Sequence, residues 1–133
     1  MNHIKAKVKA VSATKQLHIV EFAFADEPLY MMGLELDERL GKESEVILGI
    51  KPTHVLLSCS FNIDVSCLNQ LRVSVVSIEV GELLCSVKGA VNGVIIEAVT
   101  TAKAYYRMNF GVGDSIVMFL PSSELYIREV ISY

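Results

Sequence analysis

The sequence predicts an all-β fold with short helices, built as two consecutive five-stranded barrels. Three observations carry that prediction. Apolar residues recur at every second position over most of the chain, helical spacing is confined to two short stretches, and the first half of the sequence is echoed in the second.

The echo is positional rather than literal. At a shift of about 67 residues Asn2 meets Asn69, Ile4 meets Leu71, Val8 meets Val75, Leu17 meets Leu84 and Val20 meets Val87. Further along the shift grows to about 70. There Leu40-Gly41 meets Phe110-Gly111, Val46-Ile47 meets Ile116-Val117, Ile50 meets Leu120 and Val55 meets Leu125. Such agreement of apolar positions implies a duplicated unit.

The elements follow in order. Residues 3–11 alternate, with Ile4, Ala6, Val8 and Ala10 on one face and Lys5, Lys7 and Lys9 on the other, as in a half-buried strand. Residues 17–24 give a second strand and 29–32 a third. Residues 34–40 carry acids early and Gly41 just past the end, which predicts a two-turn helix. Residues 45–50 and 55–58 read as two closing strands around Lys51-Pro52-Thr53-His54. The second unit copies this plan with strands at 71–79, 83–88 and 94–99, a helix at 101–109, and closing strands at 115–120 and 125–130. Asn92-Gly93 marks a tight hairpin turn. Five strands with a short helix before the last two predict a Greek-key barrel of the OB type. The predicted division is 1–60, a packed connector at 61–68, and 69–133.

Composition excludes several functions. Apolar residues make up 52% of the 133, yet the least polar stretch, 52–63, is too short and too polar for a membrane helix. The start of the chain alternates and lacks the apolar core of a secretory signal. A net charge of −3, with scattered Lys and Arg, argues against nucleic acid. Cys59, Cys67 and Cys85 form neither a C-x-x-C pair nor an even set, so a reducing, cytoplasmic setting is expected. His3, His18 and His54 have no metal-like spacing, and Glu35-Leu36-Asp37-Glu38 reads as a solvated face. Tyr105 and Tyr106 could stack on bases, but the acidic balance weighs against it. No nucleophile–base arrangement is legible, so no enzymatic activity is expected. The apolar surplus points to subunit interfaces.

Several motifs, in order, resemble the TOBE, or molybdopterin-binding-protein-like (di-Mop), family of molybdate and tungstate binding domains. They are Val75-Val76-Ser77-Ile78-Glu79, Ala98-Val99-Thr100 before the helix, Phe110-Gly111-Val112-Gly113 after it, and Ile50-Lys51-Pro52-Thr53-His54-Val55 in the closing turn. The resemblance is strong in the second unit and looser in the first between positions 23 and 38. It implies a non-catalytic, cytoplasmic oxyanion-binding protein for storage or sensing, with molybdate or tungstate as ligand and no organic cofactor. It further implies a homo-oligomer, dimer or trimer, and a molybdate transporter ATPase as a candidate partner.

Implied ligand residues follow position by position. Lys51 stands at the family's lysine, whereas the second unit has Pro121 there. Ser66 and Asn69 match a connector motif whose arginine is replaced here by Leu68, removing a two-pronged donor. Thr100 and Thr101 precede the second helix, where hydroxyls commonly cap helices. Ser122 and Ser123 follow the closing strand, where small polar residues also serve plain turns. The losses at 68 and 121 leave a second reading, a regulatory or interaction subunit of a transporter or regulator with weakened ligand binding. A third, single-stranded nucleic acid or oligosaccharide binding, rests on fold analogy.

Overall fold

A computed structural model describes residues 2–133; Met1 lies outside them. The chain forms strands β1 (Asn2–Ala13), β2 (His18–Phe24), β3 (Glu27–Gly33), β4 (Glu45–Ile50) and β5 (Leu56–Ser58), then β6 (Gln70–Val80), β7 (Leu84–Val91), β8 (Val94–Thr101), β9 (Ser115–Phe119) and β10 (Tyr126–Ser132). Among the described residues one α-helix, α1 (Ala102–Arg107), and one 3-10 turn, Pro52–His54, complete it.

The strands form two five-stranded sheets, ordered β10-β4-β1-β2-β3 and β5-β9-β6-β7-β8, each curled as in an OB-like barrel. Alternation sets the inner faces. Ile4, Ala6 and Val8 are buried and Lys5, Lys7 and Lys9 exposed; in the second half Leu71, Val73 and Val75 repeat the pattern. The duplication extends to irregularities. The β1–β2 register slips between Val8 and Ala10, and the β6–β7 register slips at the matching place, between Val75 and Ser77. Asn92 and Gly93 both have positive φ and join β7 to β8 as the Asn-Gly signal predicts.

Two expectations are corrected. Residues 34–40 form no helix, only a turn in which the Leu40 N–H donates to the Asp37 carbonyl. The repeat alignment explains this: the shift rises from 67 to 70 across this segment, so the first unit is three residues shorter than the second. That is nearly one helical turn. The remaining chain is held instead by the carboxy-terminal residue. Tyr133 donates its hydroxyl to Asp37 Oδ2 at 2.8 Å and accepts from Arg39, while its carbonyl accepts from the Ser44 hydroxyl.

The second correction concerns the closing strands. Each was expected to finish its own unit. Instead β5 pairs with β9 and β10 pairs with β4, so each sheet takes its fifth strand from the other half of the chain. The local cause lies in the crossing segments. Lys51 and Val55 are both extended on either side of the Pro52–His54 turn, so the chain leaves β4 onward rather than folding back on it.

The two crossings meet. His54 Nδ1 lies 3.1 Å from Glu124 Oε2, and these positions correspond in the two units. A pair of asparagines ties the sheets together. Asn69 receives the Tyr30 N–H on its Oδ1 and donates to the carbonyls of Tyr30 and Leu120, all at 2.8 Å. Asn2 does the same at the opposite junction, receiving the Glu97 N–H at 2.7 Å and donating to the carbonyls of Glu97 and Ile50. Both side chains are buried and satisfied, as buried amides must be.

Candidate functional site

The junction around Asn69 opens into a cleft of about 500 Å³. Three parts of the chain build it. β2 and β3 contribute Ile19, Tyr30 and Met32, the connector contributes Ser66, Cys67 and Leu68, and the β9–β10 crossing contributes Pro121, Ser122 and Ser123. The strand exchange is what brings the crossing here. The Ser122 carbonyl accepts the Met32 N–H at 3.0 Å, which fixes the crossing against β3. Asn69 holds Tyr30 from beneath.

Of the seven residues singled out from the sequence, the structure brings Ser66, Ser122 and Ser123 into this one cleft. Asn69 adjoins it, but both N–H bonds of its amide are committed to carbonyls, so the side chain keeps no donor for an anion. Lys51, Thr100 and Thr101 do not line it. Lys51 is exposed at the other crossing. Thr101 caps α1, its hydroxyl accepting the Ala104 N–H at 3.0 Å, and Thr100 sits in β8 opposite Cys85. Sequence reasoning missed Ile19, Tyr30 and Met32 as lining residues. They belong to the other unit, and only the exchange, which leaves no mark on hydrophobic spacing, carries the serines to them.

The cleft is neutral. No Asp, Glu, Lys or Arg lines it, and its lining side chains carry four hydroxyls, those of Ser66, Ser122, Ser123 and Tyr30, and one thiol. Burial raises the Cys67 thiol above its ordinary value of 9.0, against the lowering effect of its hydrogen bonds to the Asn69 and Leu120 backbone. The thiol therefore stays protonated at neutral pH and adds no negative charge. Leu68 is 70% exposed at the rim. Hydroxyls and amides can surround a small anion with donors, and a wall free of carboxylates does not repel it.

The opposite junction is chemically different. There Glu97 occupies the place of Tyr30, bonded by Asn2 as Tyr30 is by Asn69, and its carboxylate accepts from the Ser86 hydroxyl at 2.5 Å. The crossing that packs on β8 carries Lys51, Pro52 and Thr53 where the first cleft has Pro121, Ser122 and Ser123. A half-buried carboxylate makes that junction a poorer host for an anion.

Other groups do not assemble. Among the described residues no three His, Cys, Asp or Glu side chains are placed to hold a metal ion. Nor, among the described residues, is any helix long and apolar enough to cross a membrane.

No protein-family model matches the chain, and no curated protein matches it in sequence. Among solved structures, it is similar to ModG, a cytoplasmic molybdate-binding protein crystallised with molybdate bound. The superposition has a TM-score of 0.88 at 23% identity and covers 95% of this chain and 94% of that one. At that identity the likeness establishes the fold, over nearly the whole of both chains.

Proposed function

We propose that this chain is a non-catalytic, cytoplasmic oxyanion-binding protein of the tandem TOBE/Mop type, with molybdate or tungstate as its ligand in storage or sensing. The observation that carries the reading is the neutral cleft in which Ser66 of the connector and Ser122 and Ser123 of the β9–β10 crossing converge. The likeness to a molybdate-binding protein over nearly the whole chain supports it. Ser66, Ser122 and Ser123 act as donors in this proposal, and Asn69 positions the walls. Lys51, Thr100 and Thr101 stay outside this cleft, and any contact they make with an oxyanion belongs to another site.

Titration calorimetry with molybdate and with tungstate tests it. Binding is expected, and Ser66→Ala or Ser122→Ala should weaken it roughly tenfold or more, the worth of a hydrogen bond to a charged group. Absence of heat at millimolar anion removes the reading.

A second reading is favoured by Leu68 and Pro121, which place apolar groups at the cleft where the family resemblance implies cations. In that reading the chain is a regulatory subunit that docks on a molybdate transporter ATPase or a regulator. A stoichiometric complex that forms equally with and without oxyanion is its signature.

A further inference from the structure

The two junctions are built on one frame but carry different side chains at its centre. Asn69 receives the Tyr30 N–H at 2.8 Å and returns a bond to the Tyr30 carbonyl. Asn2 receives the Glu97 N–H at 2.7 Å and returns a bond to the Glu97 carbonyl at 2.9 Å. The same two amides reach the carbonyls of Leu120 and Ile50, which also correspond in the two units. Tyr30 and Glu97 are therefore equivalent by hydrogen bonding as well as by sequence. Their neighbours correspond too. Ile19 pairs with Met32 across β2 and β3, and Ser86 pairs with Val99 across β7 and β8.

Space does not distinguish the junctions. A cleft of about 500 Å³ runs along Ile19, Tyr30 and Met32, and one of about 560 Å³ runs along Ser86 and Val99. Donors are present at both. The opposite junction has the Ser86 hydroxyl beside Glu97, and its crossing carries the exposed Lys51 and Thr53. What differs is the central side chain. Tyr30 is half-buried in the cleft wall, and its hydroxyl has no hydrogen-bond partner among the described residues. Glu97 is half-buried as well, and its carboxylate takes the Ser86 hydroxyl at 2.5 Å. That junction thus gains a negative charge and loses a donor. A partly desolvated carboxylate repels a dianion, whereas a free phenol offers it a hydrogen bond.

We propose that the position shared by Tyr30 and Glu97 decides which junction takes an oxyanion. Tyr30 donates its hydroxyl to the ligand beside Ser66, Ser122 and Ser123, and Glu97 closes the opposite junction to anions. The proposal rests on the oxyanion reading and adds to it a fourth donor and an excluding residue. Duplication supplied two frames, and one side chain leaves a single frame of the pair open.

Equilibrium dialysis of the full chain against molybdate at neutral pH, with bound molybdenum counted by elemental analysis, gives both affinity and number bound. Tyr30→Phe keeps the ring and removes only the hydroxyl, and it should weaken binding about tenfold. Tyr30→Glu brings the opposite junction's charge into the working cleft and should weaken binding about a hundredfold or more. Glu97→Gln removes the charge with almost no change of shape, and it should raise the number bound by one per chain. Adding Ser86→Ala should weaken that extra site and leave the first unchanged. Circular dichroism checks that each variant is folded, and the conservative Phe and Gln variants decide the outcome. Native binding that Tyr30→Phe leaves intact overturns the assignment while the oxyanion reading stands. So does Glu97→Gln that takes up no further molybdate, or an added anion indifferent to Ser86→Ala. A native protein that binds no molybdate at millimolar concentration removes the oxyanion reading, and this assignment with it.

Discussion

Asn2 and Asn69 show how one side chain can hold a junction. Each amide replaces a strand-to-strand connection, closing two bonds with one residue of the neighbouring sheet and a third with the end of its own. Removing Asn69 leaves the Tyr30 N–H and two carbonyls buried without partners. Asn69→Ala should therefore cost on the order of 2–3 kcal/mol in urea unfolding. Asn69→Asp should cost more at neutral pH, because a carboxylate would face two carbonyl oxygens. A variant as stable as the native protein would show that water or slack replaces these bonds. The sequence placed the two asparagines in register but could not say which way their amides point, and the resemblance drew Asn69 toward the ligand. Asp37 illustrates a charge instead. The Arg39 guanidinium and N–H, followed by the Tyr133 hydroxyl, hold its carboxyl well below the usual carboxylate range. A depressed carboxyl stabilises the fold above its unfolded value, about 3.9, and that support is lost as pH falls through and below it. The pair is solvent-exposed, so the effect on global stability is small. Its local trace is clearer: Asp37→Asn should lower the protection of the carboxy-terminal amides in hydrogen exchange at neutral pH.

At the scale of elements, what the sequence made legible was whatever period two could encode. The ten strands, the Asn-Gly turn and α1 all follow from spacing and turn chemistry. The missing first helix was hidden because residues 34–40 keep the acids and the glycine of a helix while lacking three residues of length, and local grammar does not count length. Strand exchange was hidden for another reason. No residue of β5 or β10 is fully buried, so their hydrophobic spacing does not name a partner, and partner choice rests on the crossing turns and on cross-strand fit. One such fit is visible at Gly49, which faces Tyr126 across the β4–β10 pair. A Cβ on Gly49 would lie 2.6 Å from the tyrosine ring, so the glycine admits the ring over the strand. Gly49→Ala should destabilise by about 1–3 kcal/mol through this crowding. Combining it with Tyr126→Ala should cost less than the sum of the two single changes, since removing the ring removes the clash. Strict additivity in a denaturant-based double-mutant cycle would mean that the strand accommodates the methyl group elsewhere.

For the whole molecule, the exchange decides how the halves depend on one another. Two barrels strung on a linker would each own their strands and could unfold in turn. Here neither sheet is complete without seven residues of β10 or three of β5 drawn from the opposite half, and Asn2, Asn69 and the His54–Glu124 contact add further ties across the junctions. The serine cleft takes its walls from β2 and β3 of one half and from the connector and the β9–β10 crossing, so binding competence and global folding should be lost together. Calorimetry of the full chain, at dilutions where association is absent, should accordingly give one endotherm of roughly 90 kcal/mol near 60 °C, with equal calorimetric and van't Hoff enthalpies. Phe22→Ala provides the sharper check. Phe22 is fully buried in the first sheet, and its truncation should cost about 3–5 kcal/mol. If the halves are coupled as the pairing implies, that single endotherm moves down whole. A remnant transition left at the native temperature would mean that the second barrel stands without β5, and that exchanged strands decorate two independent domains.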